Sequence, residues 1–78
     1  MKTMTCRRLG GPCDAKIRGA TADEMMLNGE IHIRHMVAQD DEAHIKALQM
    51  MEEMQKNPTL ANAWYEKFTR DFAAQPEE

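Results

Sequence analysis

The sequence predicts an α+β domain in which an N-terminal two-stranded β-hairpin packs on three α-helices. Two observations lead to this prediction. Short strand-like segments flank the turn signal Leu9-Gly10-Gly11-Pro12, and from Thr21 onward apolar residues recur at helical spacing. With 78 residues there is room for one domain, so we expect residues 1–78 to form a single unit.

The first twenty residues predict the hairpin. Residues 2–6 alternate and include β-branched threonines, which is typical of a short strand, and residues 13–18 predict the returning strand. A two-stranded ribbon is only marginally stable in water, so we expect it to pack on the helices.

The helical body is predicted from residue 21 to residue 74. Helices are expected at about 22–38, 42–56 and 58–74. Thr21 and Glu24 form a predicted capping box, in which each side chain accepts from the other residue's amide. Asn57 is a suitable cap for the third helix, and residues 75–78 are expected to be a frayed acidic tail.

The apolar residues of the second and third helices leave two interpretations open. All four aromatic residues lie on the third helix, which we therefore expect to supply most of the core. The second helix carries Met50, Met51 and Met54 among the eight methionines of the chain. Amphipathic stripes are normally buried within the protein itself. A Met-rich face could instead form a homo-oligomer seam or meet a protein partner.

Charge is divided unevenly along the chain. Residues 1–20 carry five Lys or Arg and one Asp, a balance of +4, whereas residues 21–78 carry five Lys or Arg and twelve Asp or Glu, a balance of −7. We expect the basic hairpin and the acidic body to attract each other. The acidic body argues against nucleic-acid binding, which requires an uninterrupted basic face.

The sequence also predicts a cytoplasmic location. No segment approaches the roughly 18 apolar residues of a membrane span, and the N-terminus lacks the apolar run of a signal peptide. Because cytoplasmic thiols stay reduced, we do not expect a permanent disulfide between Cys6 and Cys13.

A metal site is the leading chemical hypothesis. Cys6 and Cys13 can approach each other across the hairpin, and His32 falls on the helical stripe expected to face it, with His35 one turn further on. Two thiolates with one or two imidazoles suit tetrahedral zinc, although Cys-x6-Cys is wider than the usual zinc hairpin. The competing interpretation is two buried, inert thiols beside a hydrogen-bonded histidine.

A thiol-based redox or sulfur-handling role is the second hypothesis. Arg7 and Arg8 flank Cys6 and would favour its thiolate, but no Cys-x-x-Cys motif is present. His44 lies among acidic residues and is expected to be a solvated surface residue. No nucleophilic triad order, phosphate-binding glycine loop or H-E-x-x-H motif is found, so an enzyme is not favoured.

The N-terminal half also resembles a family of short prokaryotic proteins, domain-of-unknown-function family ten fifty-nine. The resemblance is carried by Cys6-Arg7-x-Leu9-Gly10-x-x-Cys13-Asp14, then by Gly19-x-Thr21-x-x-Glu24 and His32. The family has no assigned activity, so the resemblance implies a fold and a site containing Cys6, Cys13 and His32. The family's pattern has a further histidine five residues after the first, where this chain has Val37.

Together these observations predict a small non-enzymatic binding module with a Cys/His site for zinc. The two alternatives are a thiol-based redox protein and a structural homo-oligomer formed through the Met-rich helices.

Overall fold

The structure, a computed structural model, describes all residues from 1 to 78 and confirms the α+β architecture. In chain order the elements are β1 (Lys2–Thr5), one turn of 3₁₀ helix (Arg7–Leu9), β2 (Lys16–Gly19), α1 (Ala22–Ala38), α2 (Glu42–Gln55) and α3 (Pro58–Ala74). The predicted helices agree with the observed ones to within one residue. None of the helices is both long enough and apolar enough to cross a membrane.

The two strands form an antiparallel hairpin whose connection is wider than predicted. Met4 lies opposite Ile17, and the last paired residues are Thr5 and Lys16. Cys6 and Cys13, which the sequence placed in the strands, lie in the connection instead.

The connection leaves the strand ladder because the backbone turns sharply after Cys6. The Cys6 carbonyl accepts from the amides of Leu9 and Gly11 at 3.0 and 2.9 Å. Gly10 has φ 98°, a left-handed conformation that glycine adopts without steric cost. The loop is closed by the Cys6 amide, which donates to the Ala15 carbonyl at 2.8 Å.

The helix caps follow the sequence closely. Thr21 Oγ1 accepts from the Glu24 amide at 3.1 Å, as predicted. The Glu24 carboxylate accepts from the amide of Ala20 at 2.9 Å, one residue before the predicted donor. Asp41 caps α2 and Asn57 caps α3 through their side-chain oxygens. These caps satisfy amides that the helices cannot pair internally.

The core lies between the hairpin, α1 and the second half of α3. Its members are Met4, Leu9, Ile17, Met25, Phe68 and Phe72. The expectation that α3 supplies most of the core is wrong, because only two of these six residues belong to it. The first half of α3 is more open, with Leu60 54% exposed and Tyr65 41% exposed.

Helix α2 is held by few buried side chains. Only His44 and Ala47 are buried, while Met51 and Met54 are half-buried and Met50 is 72% exposed. The Met-rich surface is therefore only partly used by the protein's own packing. Its contact with a second copy or a protein partner stays a prediction.

The acidic tail lies against the first strand, where a frayed end was expected. The Glu78 amide donates to the Met1 carbonyl at 2.8 Å, and Thr3 Oγ1 donates to the Glu78 carboxylate at 3.0 Å. Arg18 on β2 lies 3.7 Å from the same carboxylate. The physical reason is the charge division of the chain, which brings an acidic segment to a basic hairpin.

Close packing of the hairpin on α1 gives a first prediction. A Cβ at Gly19 would lie 2.6 Å from the Met25 amide nitrogen and 2.8 Å from its Cα, so backbone would have to move. We expect Gly19→Ala to lower the free energy of unfolding by about 1–3 kcal/mol in a urea titration.

Gly29→Ala is the matched control. Its Cβ would meet only the terminal Cδ1 of Leu9, at 2.8 Å, and alanine gains about 1 kcal/mol of helix propensity over glycine. A Gly29→Ala variant as destabilised as Gly19→Ala would contradict the assignment of the clash to the backbone.

Candidate metal centre

Four potential metal ligands meet where the hairpin connection, α1 and α2 come together. They are Cys6, Cys13, His32 and His44. One ligand atom from each lies within 4.8 Å of all the others. Three of these residues were predicted from the sequence, and His44 was not.

The hairpin connection supplies the two sulfurs. Cys6 is 1% exposed and Cys13 is half-buried, and both are free thiols. A Cβ on Gly11 would collide with Cys6 Sγ, so a glycine here allows the connection to fold directly over the sulfur.

His32 comes from α1, as the helical stripe predicted. Its Nε2 lies 3.3 Å from Cys13 Sγ, and its neighbour Ile33 is buried under the same connection. His32 therefore projects from the helix face that contacts the hairpin connection, residues 6–15, which we call the Cys loop.

His44 is the residue that sequence reasoning missed. It was expected to be solvated, and this expectation is wrong, because its side chain is buried with 2% residue exposure. Its Nε2 lies 3.9 Å from Cys6 Sγ, and its ring meets His32 edge-on at a centroid distance of 5.2 Å. The turn after α1, where Asp40 has φ 60°, sends the chain back so that the first turn of α2 packs on the Cys loop.

Asp41 orients His44. One carboxylate oxygen, Oδ2, accepts from both the backbone amide of His44, at 3.0 Å, and its ring Nδ1, at 2.5 Å. Nδ1 is therefore occupied, and Nε2 is the nitrogen that faces the sulfurs. A carboxylate on the outer nitrogen is the usual support of a metal-binding histidine. The i, i+3 spacing of Asp41 and His44 was the one available sequence signal.

His35, the fourth ligand suggested by the sequence, is not brought into this group. Its side chain is exposed, and its Nε2 lies 2.7 Å from the side-chain nitrogen of Gln39. Three residues along a helix turn a side chain by about 60° from the starting direction. That rotation carries His35 away from the buried face that His32 occupies.

The pKa values of the two thiols are shifted in opposite directions. Burial raises the pKa of the Cys6 thiol above its ordinary value. Burial acts on Cys13 in the same direction, but the Ala15 amide and the His44 ring outweigh it, so the pKa of Cys13 lies below its ordinary value. Cys13 is therefore the thiol that deprotonates first.

The two imidazoles also differ. Burial, with the neighbouring His44, lowers the pKa of His32. Burial would lower the pKa of His44 as well, but the hydrogen bond to Asp41 and the proximity of Cys13 raise it above its ordinary value. Without a metal, Cys13 therefore loses its proton more readily than an ordinary cysteine, and His44 holds its proton more strongly than an ordinary histidine.

The four residues lie close enough together to hold one metal ion, and their chemistry is compatible with tetrahedral coordination. With metal–sulfur bonds of about 2.3 Å and metal–nitrogen bonds of about 2.0 Å, tetrahedral geometry places sulfur and nitrogen roughly 3.5 Å apart. Two of the four sulfur–nitrogen distances, 3.3 Å for Cys13–His32 and 3.9 Å for Cys6–His44, bracket that value. Two thiolates with two imidazoles in this geometry are typical of zinc.

A two-iron cluster fits less well. In Rieske-type two-iron clusters, two cysteines bind one iron and two histidines bind the other. Here each sulfur is adjacent to an imidazole, and all four ligand atoms share one small volume. The arrangement therefore favours a single ion.

Comparisons with protein-family models, curated proteins and solved structures give no match for this chain. The resemblance to domain-of-unknown-function family ten fifty-nine stays a prediction.

The contact between Asp41 and His44 gives a second prediction. In metal-free protein, we expect the pKa of His44 to lie above its ordinary value of about 6.5 and that of His32 below it. Asp41→Asn keeps a capping side chain but removes the charge, so the pKa of His44 should fall. Imidazole resonances followed by NMR through a pH titration measure both.

Asp40→Asn is the control for that titration. It removes the same charge one residue away, and asparagine tolerates the positive φ of this position. If both variants lowered the pKa of His44 equally, the direct contact with Asp41 would not be its cause.

Proposed function

We propose that this protein is a small non-enzymatic binding module organised by one Zn²⁺ ion. The ligands would be Cys6, Cys13, His32 and His44. The observation that carries the proposal is the convergence of their four donor atoms within 4.8 Å, although they come from three separate elements.

Four protein ligands indicate a structural role for the ion. Catalytic zinc sites keep an open position for water or substrate, whereas structural sites are closed by four protein ligands. Helix α2 has only two buried residues, and one of them is the ligand His44. An ion bound here would link α2 to the Cys loop and to α1. This link matters because the small core holds α2 only weakly.

The fourth ligand of the proposed site differs from the one that the family resemblance implies. The resembled pattern has a second histidine at the position of Val37, on α1. In this chain His44, from the next helix, would complete the ligand set instead. The two cysteines must stay reduced to bind the ion, and such conditions are found in the cytoplasm, the location that we propose.

A thiol-based redox role is the second candidate, and one observation favours it. The pKa of the half-buried Cys13 is lowered, and its sulfur lies within 4.8 Å of Cys6 Sγ. The raised pKa and burial of Cys6 make it a poor partner in thiol exchange. The metal proposal uses both sulfurs and both imidazoles as ligands, whereas the redox proposal depends on Cys13 alone as the reactive thiol.

Metal content and thermal stability test the zinc proposal. We expect one zinc per chain by native mass spectrometry. With free zinc at about 1,000 times its dissociation constant, binding contributes roughly 4 kcal/mol. Chelation should therefore lower the melting temperature by at least about 15 °C for a domain of this size.

Single substitutions of the ligands separate the proposed site from its neighbours. His32→Gln and His44→Gln should each reduce zinc affinity by at least about tenfold, because each removes one of four bonds. His35→Gln is the matched control on α1 and should bind zinc as the unaltered protein does. Metal-free protein under reducing conditions, or equal losses in all three variants, would refute the proposed site.

A further inference from the structure

We propose that the pocket between α1 and α2 binds a small apolar molecule with one positive charge, and that the metal centre holds the walls of this pocket. The dependence on metal rests on the zinc site proposed above. The charge preference of the pocket does not.

The pocket has the size and lining of a small-molecule site. Its volume is about 320 Å³, at the lower end of the range of roughly 300–1,000 Å³ for ligand pockets. Its apolar walls come from the Cys loop and all three helices: Leu9, Met26, Ile33, Leu48, Met51 and Trp64. Methionine side chains adapt to ligands of different shapes.

The charged residues at the rim of the pocket favour one sign of charge on the ligand. Glu30 and Arg34 line one side and form an ion pair at 3.0 Å, so their charges offset each other. Glu52 lines the opposite side and forms no ion pair. The rim therefore carries a net charge of −1 and favours a cation. Trp64 adds an aromatic ring, which also attracts cations.

Three walls of the pocket are attached to metal ligands. Leu9 lies between Cys6 and Cys13, Ile33 follows His32, and Leu48 lies one helical turn after His44. An ion that joins the four ligands would fix these walls relative to one another. Without it, α2 would be held by few buried contacts, and the pocket would lose its shape.

The probes are three molecules with the same eight-carbon chain: octylamine, octan-1-ol and octanoate. Trp64 is the only tryptophan and lines the pocket, so its fluorescence reports binding. In zinc-loaded protein at neutral pH, octylamine should bind at least about threefold more tightly than octanol, and octanoate most weakly. Similar affinities for all three would overturn the charge preference.

Two variants test the location of binding. Glu52→Gln should abolish the preference for octylamine over octanol, whereas Glu66→Gln, the same charge change on α3 outside the pocket, should preserve it. Met54→Phe adds bulk to the pocket lining and should weaken all three probes. If Glu52→Gln or Met54→Phe bound as the unaltered protein does, the pocket would not be the site.

Chelation tests the role of the metal, with zinc content measured on the same sample. Loss of at least about tenfold in octylamine affinity after zinc removal supports the coupling. Unchanged affinity in protein shown to have lost its zinc would overturn the coupling and leave the zinc site standing. Protein that never binds zinc would refute the proposed function, and the charge preference would then be judged on the probes alone.

Discussion

Burial of His44 is the constraint on which the organisation of this protein depends. An imidazole that is 2% exposed must find partners for its ring nitrogens, because an unpaired polar group inside a protein is costly. Asp41 takes Nδ1, and this leaves Nε2 facing Cys6. The start of α2, the turn before it and the Cys loop are therefore positioned together around one side chain.

The buried His44 and the three residues around it could hold a metal ion, and all four lie outside the apolar cluster. The apolar cluster of six residues lies between the hairpin, α1 and the end of α3, and it does not extend under α2. Dispersion and hydrophobic burial thus hold one side of the molecule, and the Cys/His group lies on the other. A bound zinc ion would give this second side the strength that apolar packing gives the first.

Contacts between charged residues also bring the acidic C-terminal tail against the basic hairpin. The basic hairpin receives the acidic tail through Arg18 and the main chain of Met1, so the termini lie side by side. The attraction expected from the unequal charge distribution is thus expressed as specific contacts. Such exposed ion pairs contribute little stability individually, and the backbone hydrogen bond from Glu78 gives this contact its geometry.

The sequence by itself determined the local structure, because the signals for it are local. The capping residues Thr21 and Asn57, with the helical spacing of apolar side chains, predicted three helices to within one residue. The same spacing turned His32 toward the hairpin, so three of the four converging residues were predicted.

Only the tertiary structure decided the rest. The course of the hairpin connection depends on the turn that follows Cys6. The burial of His44 depends on how α2 returns over the Cys loop, which is a contact between residues 38 positions apart. Such a contact leaves no periodic trace in a sequence. The helical spacing therefore suggested His35, the next histidine on α1, as the fourth ligand. The residue that joins the group, His44, lies on another helix.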